Sequence, residues 1–400
     1  MKAKTRPWPL AGLLFFIVFL NGFEAGGYQA CLLSVGRDFA LGNGALGMLA
    51  SAQLVATLVA PLIFGPVADR RGKRQVLLPF FGVFIAGCGV IVVSTSAAAF
   101  LPGIFLVGVA TSILQYVAIS ALADAYPQSG KRKMGMLTSM YALGAIVSPM
   151  ICGALVGAGQ SWRWLFVLLG LAAAFNLAAI ALTDFSPREA AGEEGAGGTS
   201  AGSPDAGAPG TPAKRWALPG VVLLCLVMFV YVGFENGYAY FLNAFITDDL
   251  GGSTAYLALS MFWLAMVPSR LLCGLVSDHK GTVLVVAACA VTAGALVMAG
   301  LHSAMAAVAV SFVLGFFSGA IYPMVLGYAI DFSAGRTASV TGLITASTGL
   351  GGAVVTAALG FIADAYGIRQ GFGLLALWMV LDIAFAVVLL IQQRRKGSAL

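Results

Sequence analysis

Gly22-Phe23-Glu24-Ala25-Gly26 and Gly233-Phe234-Glu235-Asn236-Gly237 carry one pattern twice, 211 positions apart in a chain of 400 residues. Outward from these two stretches the correspondence continues. Asp38 answers to Asp249 at the same offset, Gly65 and Asp69 to Gly274 and Asp278 at 209, Asp124 to Asp331 at 207, and Arg163 to Arg369 at 206. So slow a drift over the whole length marks a duplicated unit, the arrangement in which a substrate is held near the midplane between two repeats.

Composition identifies the solvent around the repeats. Sixty per cent of the chain is apolar and 10% charged, with a mean hydropathy of +0.95, whereas a soluble domain carries about 25% charged residues. Too few charges remain to build a water-facing surface, which excludes a soluble enzyme, a nucleic-acid-binding protein and a disordered scaffold. Twelve apolar stretches, from Leu10–Val35 to Gly371–Ile391, are long enough to cross a bilayer, for which about 20 residues suffice. The expectation is an all-α membrane protein: twelve transmembrane helices in two pseudo-symmetric six-helix bundles, residues 1–183 and 217–400. Residues 184–216, rich in Gly, Ala, Pro, Ser and Glu, read as a flexible cytoplasmic linker unable to bury a core.

Of the 22 basic residues, 18 fall on the side of the N-terminus, Arg37, Arg163 and Arg369 fall on the other, and Arg270 lies inside a span. The positive-inside rule then puts both termini and the linker in the cytoplasm, so the net charge of +6 reports topology rather than a nucleic-acid partner. The first stretch is too long for a signal-peptide core and reads as a retained span. All six cysteines lie inside spans without metal-ligand spacing, so neither a disulfide framework nor a metal site is expected.

Between the second and third spans stands Gly65-Pro66-Val67-Ala68-Asp69-Arg70-Arg71-Gly72-Lys73-Arg74, with a degenerate copy at Gly274-Leu275-Val276-Ser277-Asp278-His279-Lys280-Gly281. The chain here resembles the major facilitator superfamily, whose loop between spans two and three carries G-x-x-x-D-R-x-G-R-[RK]; the likeness covers both halves. Glycine permits close helix packing, while an Asp at a helix end accepts hydrogen bonds from Arg and helix N-termini. The resemblance implies a cytoplasmic gate built from Gly65, Asp69, Arg70, Gly72, Arg74 and Asp124, with Asp278 and Asp331 as the second copy, favouring the outward-facing state. It also implies that Gly144-x-x-x-Ser148-Pro149-x-x-Cys152-Gly153 is a partial antiporter motif, with Ser148 and Cys152 replacing two glycines. A proline kink with close packing is the other reading.

Acidic residues deep in spans are Glu24, Glu235 and Asp382. Each costs roughly 2.5–3.5 kcal/mol to insert, which makes it a functional candidate by default. Glu24 and Glu235 lie in the first spans of the two repeats, which by resemblance face each other across a central cavity. Such a pair is suited to binding and releasing a proton or holding a cationic substrate. Asn21 and Tyr28 lie a turn from Glu24, Tyr231 and Tyr238 a turn from Glu235. The resemblance also implies that spans four and ten line the cavity, so Gln115 and Tyr322, equivalent at an offset of 207, join Asn236, Tyr240 and Trp263 as further cavity candidates. Asp382 lies in the twelfth span, which the resemblance implies is peripheral to the cavity, and reads as a structural hydrogen-bonding group. Arg270, about 12 Å from the cytoplasmic end of its span, reads as an anchor or gating residue.

No phosphate-binding GKS or GKT loop and no H-E-x-x-H motif occurs, so the chain reads as neither an ATP-driven pump nor an enzyme, and as needing no cofactor. The expectation is a monomeric, proton-coupled secondary transporter in a bacterial cytoplasmic (inner) membrane, its partners being lipid, protons and a small organic solute. Two carboxyls without a cation at their depth favour a cationic or neutral solute, and the fifth-span motif favours export. Proton-symport uptake of a neutral polar solute such as a sugar stays open, as does a membrane sensor that no longer transports.

Overall fold

The computed structural model describes residues 10–70, 72–125, 130–183, 218–273, 276, 279–332 and 337–397. The linker expected at 184–216 lies outside the described residues. Apolar runs broken by turns give twelve α-helices: α1 (Leu10–Asp38), α2 (Asn43–Arg70), α3 (Lys73–Val93), α4 (Ala97–Ala125), α5 (Gly130–Gly157), α6 (Arg163–Ala181), α7 (Leu218–Ala244), α8 (Ala255–Cys273), α9 (Lys280–Ala299), α10 (Ala304–Phe332), α11 (Thr337–Tyr366) and α12 (Ile368–Gly397). Each contains a stretch long and apolar enough to cross a membrane. A π-helical turn, Phe245–Asp249, extends α7.

The pairing of helices repeats. α1 packs on α5, α2 on α4 and α3 on α6, and correspondingly α7 on α11, α8 on α10 and α9 on α12. Glycine sets the close approaches. A Cβ at Gly22 would strike the Tyr141 carbonyl and one at Gly144 the Phe19 carbonyl; the equivalent Gly233 and Gly351 stand against each other's helices in the second half. Lipid gives little hydrophobic drive between helices, so such backbone proximity carries much of the packing. The fifth-span motif belongs to this seam: Gly144 meets α1, Ser148 Oγ borders Gly26, and Gly153 lies under the Tyr256 ring of α8.

Two sets of six helices meet along α2–α11 and α5–α8, with α1 against α7. Between pairs of described residues, every hydrogen bond or ion pair joining the sets lies in the half of the bundle away from the start of α1, here the distal half. There Arg37 pairs with Asp248 at 2.6 Å, and the Asp364 carboxylate at the end of α11 accepts the N–H groups of Asn43 and Gly44, both at 2.7 Å. That carboxylate satisfies donors which the first turn of α2 would otherwise leave open. Ser51 donates to the Ala353 carbonyl, Asn243 to that of Ala30 and Ser260 to that of Ile146. The distal end is shut.

Candidate functional site

Glu24 has fourteen residues of α1 on either side, and only 2% of it is exposed. Its Oε1 accepts a 2.7 Å hydrogen bond from Gln53 Nε2 on α2, and Gln53 Oε1 accepts one of 2.8 Å from the Tyr240 hydroxyl on α7. The chain Glu24–Gln53–Tyr240 thus crosses from one helix set to the other. Nearby, Trp263 Nε1 on α8 donates to Gln29 Oε1 on α1 at 3.2 Å, and its ring meets Tyr141 edge to face. Tyr28 packs its ring against Phe100 and Tyr240, and its buried hydroxyl has no partner among the described residues.

Glu235 is half-buried and accepts a hydrogen bond from the Tyr231 hydroxyl one turn earlier on α7. Arg270 of α8 interacts electrostatically with Glu235, and also with Tyr231, Tyr141 and half-buried Tyr322. From sequence Arg270 reads as an anchor or gating residue, with no cation expected at the depth of the carboxyls; the structure sets it at the depth of Glu235. Counted from the distal ends of their helices, Arg270 lies 15 residues in and Glu235 lies 14, about 22 and 21 Å. The guanidinium has found little: Nη2 contacts the Met266 thioether at 3.7 Å, and buried Nε has no acceptor among the described residues.

The remaining candidates divide. Asn21 donates to the Thr111 carbonyl at 2.8 Å and to Gln115 Oε1 at 3.4 Å, tying α1 to α4 on the same seam. Asn236 bonds the Val232 carbonyl of its own helix and borders Gly352 and so the α7–α11 contact. Tyr238 does not join the site. Two turns distal to Tyr231, the same stripe of α7 is roofed by its neighbours, so Tyr238 bonds Ser311 and stacks among Phe234, Phe262 and Phe372. Asp382 is buried near Tyr231, and its Oδ1 has no hydrogen-bond partner among the described residues.

Of the gating candidates, Gly72 caps the start of α3 and Arg74 donates to the Ala181 carbonyl. Gly65 lies within α2; the side chains of Asp69, Arg70, Asp124 and Asp331, and Asp278, lie outside the described residues. Gln53, Gln29 and Asp364 were not anticipated. Gln29 had a usable signal, since it stands 211 positions before Tyr240. Asp364 had a weaker one, as an acid at the distal end of the eleventh span.

The profile of the Major Facilitator Superfamily matches residues 14–331 and 223–399. The glucose transporter GlcP of Staphylococcus epidermidis is 25% identical over 179 residues, 45% of this chain and 39% of its own length. The chloramphenicol resistance protein CraA of Acinetobacter baumannii is 26% identical over 174 residues, 43% of this chain and 41% of its own. The match thus spans about two fifths of these curated relatives. Among solved structures, a mutant of the nucleoside transporter NupG superposes with a TM-score of 0.77 at 11% identity, covering 95% of this chain and 100% of its own. A bacterial homolog of the human lysosomal transporter Spinster, inward-facing and occupied, gives 0.76 at 16%, covering 95% and 96%. At such identities the likeness concerns the fold.

Proposed function

Because the chain belongs to the Major Facilitator Superfamily, a family of transporters and not of enzymes, we propose that it is a proton-coupled secondary transporter of a small organic solute, with Glu24 as the proton carrier. The observation carrying this reading is a carboxyl at the centre of α1, buried against a neutral amide instead of a cation. A carboxyl so placed is costly, which makes it a functional candidate by default. The charge distribution argues for a bacterial cytoplasmic membrane with both termini inside; the distal end is then the outer face, and the conformation is closed to the outside.

Glu235 and Arg270 share one depth across α7 and α8, so the solute site offers both signs of charge. A cationic solute loses the support it had from sequence, and a neutral or zwitterionic solute takes its place. Tyr322, Gln115 and Asn21 add hydroxyl and amide groups for such a molecule. Relatives named as a glucose transporter and as a chloramphenicol resistance protein do not point to one substrate. Direction is proposed as export, on the partial motif around Gly144–Gly153; symport of a neutral polar solute is the second reading, favoured by the same amide lining.

Two measurements test this. A thermal-shift screen of purified protein against neutral, zwitterionic and cationic solutes should find stabilisers in the first two classes. For any hit, flux in proteoliposomes should follow an imposed pH gradient. Flux indifferent to that gradient defeats the coupling, and the sign of the substrate-linked pH change separates export from symport.

A further inference from the structure

Two hydrogen bonds tie the helix sets together at the depth of the site, and the repeat makes them one contact formed twice. In each, a glutamine Oε1 of the first set accepts from an aromatic donor of the second: Gln53 from Tyr240 and Gln29 from Trp263. Gln29 and Tyr240 are 211 positions apart, the offset of Glu24 and Glu235; Gln53 and Trp263 are 210 apart, between the offsets of the landmarks on either side. The pseudo-two-fold axis carries one tie onto the other. They differ in what stands behind the amide: Gln53 also donates to Glu24, whereas Gln29 donates to no carboxylate among the described residues. One tie is therefore fixed, and the other answers to an ionisable group.

We propose that Gln53 is a positioning residue that links the proton on Glu24 to closure of the distal end through its hydrogen bond to Tyr240. The inference rests on the reading of Glu24 as proton carrier. An ionised carboxylate only accepts hydrogen bonds. It therefore holds the Gln53 amide in one orientation, NH2 towards Glu24 and oxygen towards Tyr240, and each bond in the chain polarises the next. A protonated Glu24 can itself donate to the amide oxygen. The enforced orientation is lost, and with it the preferred acceptor of the Tyr240 hydroxyl. Tyr240 is the chain's single member from the second set, so its bond to Gln53 is the one that parts when α7 moves away from α1 and α2.

Linkage then runs both ways: proton uptake favours distal opening, and distal opening favours proton uptake. Among the described residues no charged group bonds to Glu24; the second titratable carboxyl of the site, Glu235, shares with it only an influence on Tyr141. Facing Glu24 are Tyr28 and Cys31 on α1, Cys88 on α3, Tyr141 on α5 and Tyr240 on α7, all neutral side chains. Among the described residues of α2, α4, α6 and α8 no charged group bonds to it, Arg270 interacting instead with Glu235.

Hydrogen–deuterium exchange on the full chain in nanodiscs tests the linkage. In the wild type, exchange at residues 43–51 and 353–364, corrected for chemical rate, should rise about fivefold or more between mildly alkaline and mildly acidic pH. Tyr240→Phe keeps the ring and removes the donor, so exchange there should be high at both pH values and the response lost. Gln53→Met should do the same, and covers the case that Tyr240→Phe does not fold. Glu24→Gln should also lose the response. A wild-type fold-change in Tyr240→Phe or Gln53→Met, with Glu24→Gln unresponsive, overturns the role of Gln53 and leaves Glu24 as proton carrier. A full response in Glu24→Gln overturns both.

Discussion

Two acids and one base mid-membrane behave differently because of what each touches. Among the described residues Glu24 bonds only a neutral amide, whereas Glu235 bonds a tyrosine hydroxyl and feels the charge of the Arg270 guanidinium. Glu24→Gln should therefore preserve exchange of solute between equal pools and abolish accumulation against a gradient, measured by counterflow and by pH-driven uptake in the same vesicles. Glu235→Gln should instead weaken solute binding. Arg270→Gln should weaken binding by roughly tenfold or more, since a charge-assisted hydrogen bond is worth about 1.5–3 kcal/mol; Arg270→Lys, a point charge without the planar fork, should recover part of it. Unchanged affinity in Arg270→Gln would remove the residue from the site. Both carboxyls were legible in the sequence because acids are scarce in apolar runs. Gln53 was not, because an uncharged amide in such a run carries no mark until its partners are known. Tyr238 misled because helical spacing gives the face of α7 but not which neighbour covers that face at a given depth.

At the scale of elements, hydropathy located all twelve helices, while their ends depended on turn chemistry that hydropathy does not carry. The distal turns follow the repeat: Ala40 and Gly251, equivalent at 211, both take positive φ, 53° and 64°. Pairing was legible only in part. Small residues announced close packing, but not that Gly22 and Gly144 meet backbone to backbone. Gly144→Val should collide with the Phe19 carbonyl and destabilise by about 1–3 kcal/mol or more, seen as a lower unfolding midpoint in detergent. Gly82→Ala on α3 points into open space and should be neutral or stabilising by up to about 1 kcal/mol. Equal effects of the two substitutions would show that proximity at α1–α5 matters little.

For the whole molecule, the duplicated landmarks became duplicated contacts. Arg163 pairs with Asp38 and bonds the Ser94 carbonyl; its counterpart Arg369 pairs with Asp249 at 2.6 Å and bonds the carbonyls of Ala299 and Leu301. What the repeat did not reveal is where the halves differ, as at Asp364, whose counterpart by offset is Gly157. Asp364→Asn leaves one good acceptor for two N–H donors and should shift the population towards distal opening by about 1 kcal/mol, near fivefold. Spin labels at Thr95 and His302, in exposed distal loops of opposite halves, would report longer distances; an unchanged distribution would assign closure to the other contacts. Arg37 and Asp248 hold a further consequence. They are one position of the repeat, 211 apart, touching its own image. With side chains 60% and 48% exposed, the pair adds about 0–1 kcal/mol to stability, yet two identical halves would set like charges face to face there. The two sites therefore owe each other their sign, and across kindred sequences they should covary, opposite in either order or uncharged together. An alignment in which like charges commonly occupy both would show that each drifts alone.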